Sequence, residues 1–136
     1  MSAAQDPQEY INEMARKRGY VLDYHKVMAK HDFEVLQAAN ELVDAAYLKQ
    51  RTLDRKTKEL IFIATQTILR APKGQIQSHI RLALDLGATP QEVLEAIETT
   101  LPEAGVIVFS AGFEAWKEVV DADGIEPTVE VYNASE

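Results

Sequence analysis

LDRKTKELIFIATQTILRAPKGQIQSHIRLALDLGATPQEV, residues 53–93, is the stretch that decides the fold. It contains an apolar segment, a break at Pro72, and a second segment that ends at Gly87. Proline interrupts a helix, and glycine after a last helical turn suits the left-handed cap conformation. The pattern therefore predicts two helices, at about 54–70 and 75–86. Because the first is apolar on nearly every side, we expect it to be the central helix.

The flanking sequence is also helical in pattern. Capping signals, in which a polar cap precedes a proline and an acid, occur at Asp6 and again at Thr89. The additional predicted helices are 7–19, 23–30, 32–49, 90–100 and 103–120. No segment alternates as a strand, so the predicted fold class is all-α, a compact multi-helix bundle.

Helix 32–49 has apolar residues at spacings of three and four, which predicts one buried stripe. The stripe consists of Val35, Leu36, Ala39, Leu42, Val43, Ala46 and Tyr47.

The chain has the size of one domain. It contains 136 residues, enough to bury a core without disulfides or a structural metal. We predict a flexible N-terminus at 1–6, a single helical domain at 7–123 and an acidic tail at 124–136.

Composition excludes several classes of protein. The chain has no cysteine, which excludes disulfides and thiolate zinc sites, and its three histidines are too scattered to predict a metal site. No apolar run approaches the roughly 18 residues that a membrane span requires, and the first residues do not resemble a signal peptide. The expected location is therefore the cytoplasm, with no membrane partner.

The charge is unevenly distributed. The net charge is -8, which argues against a nucleic-acid partner. Segment 51–81 nevertheless has seven basic residues against two acidic ones, whereas 85–136 has twelve acidic residues and one basic. The basic segment could attract a small anion or meet the acidic half of a neighbouring subunit, or its charges could simply be solvated.

Three pieces of the sequence resemble the carboxymuconolactone decarboxylase family, within the alkylhydroperoxidase D-like superfamily. They are residues 53–61 (LDRKTKELI), 78–84 (SHIRLAL) and 86–93 (LGATPQEV), taken in this order and spacing. The resemblance extends over about 32–117. The chain departs from the family pattern in a Glu59-to-His79 interval one residue longer than is typical, and in Ile107, where the family often has proline.

The resemblance implies a function that depends on the branch of the superfamily. The peroxide-reducing branch uses a Cys-x-x-Cys pair, and a chain without cysteine cannot perform that thiol cycle. The 4-carboxymuconolactone decarboxylases of aromatic catabolism lack the pair. The resemblance therefore implies a cofactor-free, carboxy-lyase-like enzyme acting on a small organic acid or lactone, and a homotrimer or homohexamer.

Residues suited to that chemistry lie in the same stretch. His79 and Glu59 are the candidate catalytic residues. A histidine can protonate a carbon after carbon dioxide leaves, and in the thiol branch of the superfamily the glutamate that matches Glu59 belongs to a proton relay. The candidate substrate-binding residues are the cations Arg81, Arg70 and Lys73, with Gln66 as a pocket wall.

Each candidate also has a structural explanation. His79 borders the apolar face of its helix and could be a hydrogen-bonded packing residue. Arg81 could pair with Asp85, and Glu59 could cap a helix dipole beside Arg55. We expect His25 and His31 to be exposed.

A second hypothesis is a noncatalytic oligomeric scaffold, or a family member that only binds a small anion. A third is a different lyase, hydrolase or isomerase that uses the same pocket. What discriminates these hypotheses is whether His79 faces a cavity with a cation nearby.

Overall fold

The computed structural model describes residues 5–131, and within them it contains seven α-helices and no strand. The helices are α1 (Pro7–Arg18), α2 (Asp23–His31), α3 (Phe33–Val43), α4 (Arg55–Ile68), α5 (Lys73–Asp85), α6 (Pro90–Glu98) and α7 (Thr100–Val120). A π-helical turn, Asp44–Leu48, continues α3. The predicted all-α class is confirmed. The proposed terminal segments 1–6 and 124–136 lie partly outside the described residues.

The capping signals in the sequence position the helix ends. The Asp6 carboxylate accepts a hydrogen bond from the Glu9 backbone amide at 3.1 Å, and α1 ends at Gly19 with φ 81°. At α6, Thr89 and Glu92 form a reciprocal capping box, with both bonds at 3.0 Å. These local bonds satisfy helix-end amides that would otherwise lack partners.

Helices α4 to α7 pack around one apolar core, and we call this part the C-terminal bundle. Its fully buried members are Ile63, Ile76, Ile80, Ala83, Ala88, Val93, Ile97 and Ala115. Gly112 of α7 lies where a Cβ atom would be only 2.3 Å from the Thr67 hydroxyl oxygen. The missing side chain at this position lets α7 lie directly against α4.

Helices α1 to α3 form a smaller group, which we call the N-terminal layer. Its core contains Met14, Ala29 and Leu36, bordered by the edge-to-face ring pair of Tyr10 and Phe33. The layer meets the bundle through the π turn, which contacts α4, and through Tyr20, which packs against α5.

The prediction of fully buried apolar stripes is wrong in part. In α3 and the π turn, Leu36 and Tyr47 are buried, whereas Val35 and Leu42 are 52% and 70% exposed. On α4, the helix that we expected to be enclosed, Ile61 and Ile68 are also exposed, as is Leu69 directly after its end. The reason is that neighbouring helices cover only one side of α3 and α4 in a single chain.

The last helix starts earlier than predicted. Helix α7 begins at Thr100, directly after α6, and contains a kink at Gly105, where φ is 86° and ψ is 174°. These dihedral angles are not helical, so the helix is interrupted at Gly105 and resumes after it; a positive φ is accessible to glycine at little cost. After Val120, the described residues 122–131 have no regular secondary structure.

Candidate active site

A hydrogen-bonded histidine–glutamate pair lies between α4 and α5. Nδ1 of His79 is 2.7 Å from Oε2 of Glu59, and the two residues are 2% and 0% exposed. The other glutamate oxygen, Oε1, accepts a hydrogen bond from Nε of Arg55 at 3.2 Å. A buried carboxylate therefore connects an imidazole to a guanidinium, and the two residues that we predicted as catalytic are in direct contact.

Simple helix geometry assembles this group. Arg55 and Glu59 are one turn apart in the first turns of α4, so their side chains lie on the same face. The break around Pro72 returns the chain so that α5 packs against α4 and brings His79 to the same place. The expected pairing of Glu59 with Arg55 is confirmed.

Burial sets the electrostatics of the pair. Loss of solvent raises the pKa of the Glu59 carboxyl above its ordinary range, and the hydrogen bond and charge of His79 counter part of that rise. A buried carboxylate with a raised pKa is a better proton acceptor than an exposed one. Glu59 can therefore hold the Nδ1 proton and stabilise an imidazolium when His79 becomes charged.

Three aromatic rings enclose His79. The ring centroids of Tyr20, Phe62 and Tyr47 lie 5.1, 5.4 and 6.2 Å from that of the imidazole. Tyr47 also stacks on Phe62 at 4.1 Å, and Arg55 lies over the Tyr47 ring at 4.8 Å while donating to its hydroxyl at 3.3 Å. These contacts fix the orientation of the imidazole and exclude bulk water from it.

The expectation that His79 faces a cavity is not met in the single chain, because Tyr20 stands in front of the ring. Within residues 5–131 the second ring nitrogen, Nε2, makes no hydrogen bond, and it is not among the side-chain atoms that are sealed from solvent without a partner. Nε2 is therefore the ring nitrogen that has no partner among the described residues and is not completely sealed from solvent.

A cleft of about 300 Å³ lies on the other side of Tyr20. Its lining residues are Gly19, Tyr20, Ser78, Arg81, Leu82 and Asp85. Burial raises the pKa of the Tyr20 hydroxyl above its usual value, so this group stays protonated and can donate a hydrogen bond. The cleft is thus lined by one cation, Arg81, one carboxylate, Asp85, and the Ser78 hydroxyl, and it is bordered by the tyrosine that packs against His79.

The other predicted binding residues lie elsewhere. Lys73 is at the start of α5 and forms an ion pair with Glu118 of α7 at 2.7 Å. Arg70 is exposed in the turn after α4, with φ 54°. Gln66 is 9% exposed on α4, and its Oε1 atom has no hydrogen-bond partner among the described residues. None of the three is among the groups that surround the His79 ring, and their binding role stays a prediction.

The charged segments partly pair within the chain. Lys56 and Lys73 of the basic segment bind Glu92 and Glu118 of the acidic half, at 3.2 and 2.7 Å. We predicted such pairing between neighbouring subunits, whereas these two lysines pair with acids of their own chain.

Sequence reasoning missed one residue of the site, Tyr20, and the burial of a histidine elsewhere, His25. It gave Tyr20 no role, because this residue lies in the link between α1 and α2 and no spacing relates it to His79. It also expected His25 to be exposed, which is wrong: the residue is 2% exposed. The turn into α2 folds its ring inward, where Nδ1 accepts a hydrogen bond from the Leu22 amide at 3.0 Å.

No helix within 5–131 is long and apolar enough to cross a membrane. In the same range, no three histidine, aspartate or glutamate side chains are grouped so that they could hold a metal ion.

Comparison with known proteins agrees with the geometry. Comparisons with curated proteins and with solved structures give no match. A sequence model described as the carboxymuconolactone decarboxylase family matches residues 34–118, which is more than half of the chain and includes both Glu59 and His79. On this match, and with the helical fold and the absence of cysteine, the chain belongs to the carboxymuconolactone decarboxylase family and is a cysteine-less member of it.

Proposed function

We propose that this protein is a cofactor-free, carboxy-lyase-like enzyme that acts on a small organic acid or lactone, in the manner of the 4-carboxymuconolactone decarboxylases of aromatic catabolism. The observation that carries the proposal is the buried pair of His79 and Glu59, 2.7 Å apart, with Arg55 on the second carboxylate oxygen. Such an arrangement orients an imidazole and stabilises its protonated form, which is what a general acid requires.

The cleft beside Tyr20 is the proposed substrate site. Arg81 would hold a carboxylate that does not react, since a guanidinium can bind both carboxylate oxygens. The Tyr20 hydroxyl would donate to the carbonyl oxygen that takes up negative charge. A preorganised donor at this oxygen stabilises the transition state more than the ground state.

The proposed reaction then has two steps. The bond between the substrate carbon and its carboxylate breaks, carbon dioxide leaves, and the electron pair spreads into the conjugated carbonyl as an enolate. Nε2 of protonated His79 then gives its proton to the carbon, and Glu59 holds the ring through Nδ1 during the transfer. Uptake of one proton from solvent returns His79 to its protonated form, so the net reaction consumes one proton for each carbon dioxide released.

Access to the ring requires a movement in this proposal. His79 is 2% exposed, and the Tyr20 side chain lies between it and the cleft. A rotation of Tyr20 about its side-chain bonds would connect Nε2 with bound substrate.

Homo-oligomerisation, as a trimer or hexamer, forms part of the proposal. Large apolar side chains are exposed on several helices of the single chain, among them Leu42, Leu69, Val106 and Ile107, at 68–74%. Exposed apolar patches on a soluble protein typically mark an interaction surface. Light scattering would check this part, because a 15.2 kDa monomer at all concentrations contradicts it.

The decisive experiment screens the purified protein against carboxylated lactones and muconate derivatives by ultraviolet absorbance. With an active compound, His79→Ala should reduce kcat by about 10²–10⁴-fold, the usual contribution of general acid–base catalysis. His31→Ala is the matched control, since His31 is exposed at the end of α2.

Unchanged kcat in His79→Ala would remove the imidazole from the mechanism. If no compound in the panel is turned over, the noncatalytic alternative replaces the enzyme proposal. Circular dichroism and light scattering of each variant establish that a loss of activity does not come from unfolding or dissociation.

A further inference from the structure

Arg55 has one side-chain nitrogen that the chain leaves free. Nε donates to Glu59 at 3.2 Å, and Nη2 donates to the Tyr47 hydroxyl at 3.3 Å. The third nitrogen, Nη1, has no hydrogen-bond partner among the described residues, and it is not one of the polar atoms that are sealed from solvent without a partner. The side chain as a whole is 25% exposed. Solvent therefore reaches a guanidinium that its other two nitrogens hold in place.

Arg55 lines a cavity of about 310 Å³ at the start of α4. The charged residues of the lining are three bases, Lys49, Arg55 and Lys58, and one acid, Asp54. The Asp54 carboxylate caps α4, where it accepts a hydrogen bond from the Thr57 amide at 2.7 Å. Three positive charges against one negative charge give the lining a formal charge of +2.

The two lysines of this cavity have no acidic partner. The ammonium group of Lys58 donates to the backbone carbonyls of Tyr47 and Lys49, at 3.2 and 3.1 Å. Carbonyl oxygens satisfy its hydrogen bonds but carry no formal charge to neutralise it. Lys49 is exposed, and no ion pair within residues 5–131 includes either lysine. The excess positive charge of the cavity therefore attracts an anion.

Two exposed leucines from different parts of the chain line the same cavity. Leu53, in the link before α4, is 51% exposed, and Leu86, directly after α5, is 39% exposed. Leu48 of the π turn adds a third apolar side chain. A ligand that covers these leucines removes apolar surface from water, which favours binding. An anion with an apolar body therefore fits the cavity better than an inorganic ion.

We propose that this cavity binds a small carboxylate with an apolar body, with the carboxylate on Nη1 of Arg55 and the apolar part against Leu53 and Leu86. A guanidinium is suited to a carboxylate, and the Lys49 ammonium adds charge attraction. The volume is at the lower limit of known small-molecule pockets, which suits a compound with a single ring or a short branched chain.

A neighbouring cavity of about 550 Å³ is less suited to this ligand, although it shares Lys49 and Arg55. Its other charged residues are Lys17, Glu41 and Asp44, so its three bases meet two acids. Lys17 is also paired with Asp44 at 2.9 Å. The excess of positive charge is therefore larger in the 310 Å³ cavity.

The carboxylate site is separate from the proposed substrate cleft but is connected with the catalytic pair. It shares no lining residue with the cleft of Tyr20 and Arg81. Arg55 is hydrogen-bonded to Glu59, and Glu59 is hydrogen-bonded to His79. A carboxylate on Nη1 would share the guanidinium with Glu59, so a bound ligand changes the charge around the pair without entering the cleft. Binding can be measured without any assay of turnover, so the result does not depend on the proposed lyase activity.

The test is calorimetric titration of the purified protein with cyclohexanecarboxylate at pH 7. We expect a Kd of about 1 mM or lower. Two analogues separate the contributions: cyclohexanecarboxamide keeps the ring without the charge, and acetate keeps the charge without the ring. Both should bind at least about tenfold more weakly.

The variants Arg55→Gln and Leu53→Ser locate the binding site. Arg55→Gln should weaken binding of cyclohexanecarboxylate by about tenfold or more, and Leu53→Ser by about threefold or more. Leu53 is an exposed residue in a link, so its substitution tests the site even if Arg55→Gln does not fold. Arg81→Gln is the matched control, because Arg81 is an exposed arginine that lines the other cleft.

Three results would overturn the proposal. In the first, cyclohexanecarboxylate does not bind. In the second, an analogue binds as tightly as cyclohexanecarboxylate, which indicates a purely apolar site or a site for a simple anion. In the third, Arg81→Gln loses binding while the Arg55 and Leu53 variants keep it, which places the ligand in the cleft beside Tyr20.

Discussion

The C-terminal bundle and the N-terminal layer differ in how completely their buried polar groups are hydrogen-bonded. In the bundle, Glu59 is bonded to both His79 and Arg55, and the Thr67 hydroxyl donates to its own helix at 2.8 Å. In the described residues four buried side-chain atoms lack a partner; Gln66 of α4 has one, and Arg18, Asn40 and Asp44 around the N-terminal layer have the others. Internal pairing suits a preorganised catalytic group, whereas an unpaired buried polar atom lowers stability.

The substitution with the largest expected effect on stability tests the close packing of α7 against α4. Gly112→Ala should lower the free energy of unfolding by about 3 kcal/mol, because the new Cβ atom would lie 2.3 Å from the Thr67 oxygen and 2.9 Å from Ile97. Urea denaturation at pH 7 measures the change.

Gly74→Ala is the matched control for this substitution. Gly74 is in the first turn of α5, and a Cβ atom there meets nothing within 4 Å. We expect stability to rise by about 0.5 kcal/mol through the higher helix propensity of alanine. Equal effects of the two substitutions would mean that α4 and α7 are not in close contact.

The next effect concerns His25 in the N-terminal layer. Its pKa is about 4 in the folded protein and about 6.5 when unfolded, so between these values the unfolded chain binds more protons. Stability from this group is complete above about pH 6.5 and decreases as pH falls toward 4. The total loss is up to about 3 kcal/mol.

The pH dependence of stability that Glu59 contributes has the opposite sign to that of His25 over part of the same pH range. Because the Glu59 pKa is raised, the folded state binds the carboxyl proton more tightly than the unfolded state does. The stability that Glu59 contributes therefore decreases as the pH rises above the ordinary pKa of a glutamate. The difference between wild type and His25→Asn isolates the histidine, because Asn can still accept from the Leu22 amide. Parallel stability curves from pH 7 to 4 would contradict the assignment.

The smallest expected effect concerns Arg18, the unpaired buried cation of the N-terminal layer. Arg18→Met should raise stability by about 1 kcal/mol at pH 7, because an apolar chain of similar length replaces an unpaired buried cation. Arg16→Met is the control at an exposed position. A loss of 2 kcal/mol or more in urea denaturation would show that Arg18 has a stabilising partner in the folded chain.

Much of the fold follows from local sequence signals. The helix starts at Pro7 and Pro90 and the stops at Gly19 and Gly87 depend on residues within one turn of each end, so the sequence predicts them closely. The contact of His79 with Glu59 was also predictable, because the family resemblance places both residues in one site.

The remaining features depend on contacts between distant segments. Tyr20 reaches His79 across the link between α1 and α2, and no periodicity in the chain encodes that contact. The burial of Arg18 and His25 depends on how α1 and α2 pack, which contradicts the usual exposure of charged side chains. The exposed side of α3 carries apolar residues, so composition alone could not distinguish a core face from a surface one.

The π turn at Asp44–Leu48 has one consequence for the evolution of this chain. The hydrogen bonds of this segment span one residue more than those of an α-helix. It places Asp44 in the lining of a cavity of about 270 Å³ between α1 and α3, and it places the Tyr47 ring beside the His79 imidazole. Deleting a single residue here would rotate the following positions by about 100° relative to α3. Asp44 and Tyr47 would then both leave their present positions. We therefore expect insertions and deletions in this turn to be selected against, even at positions where substitutions are tolerated.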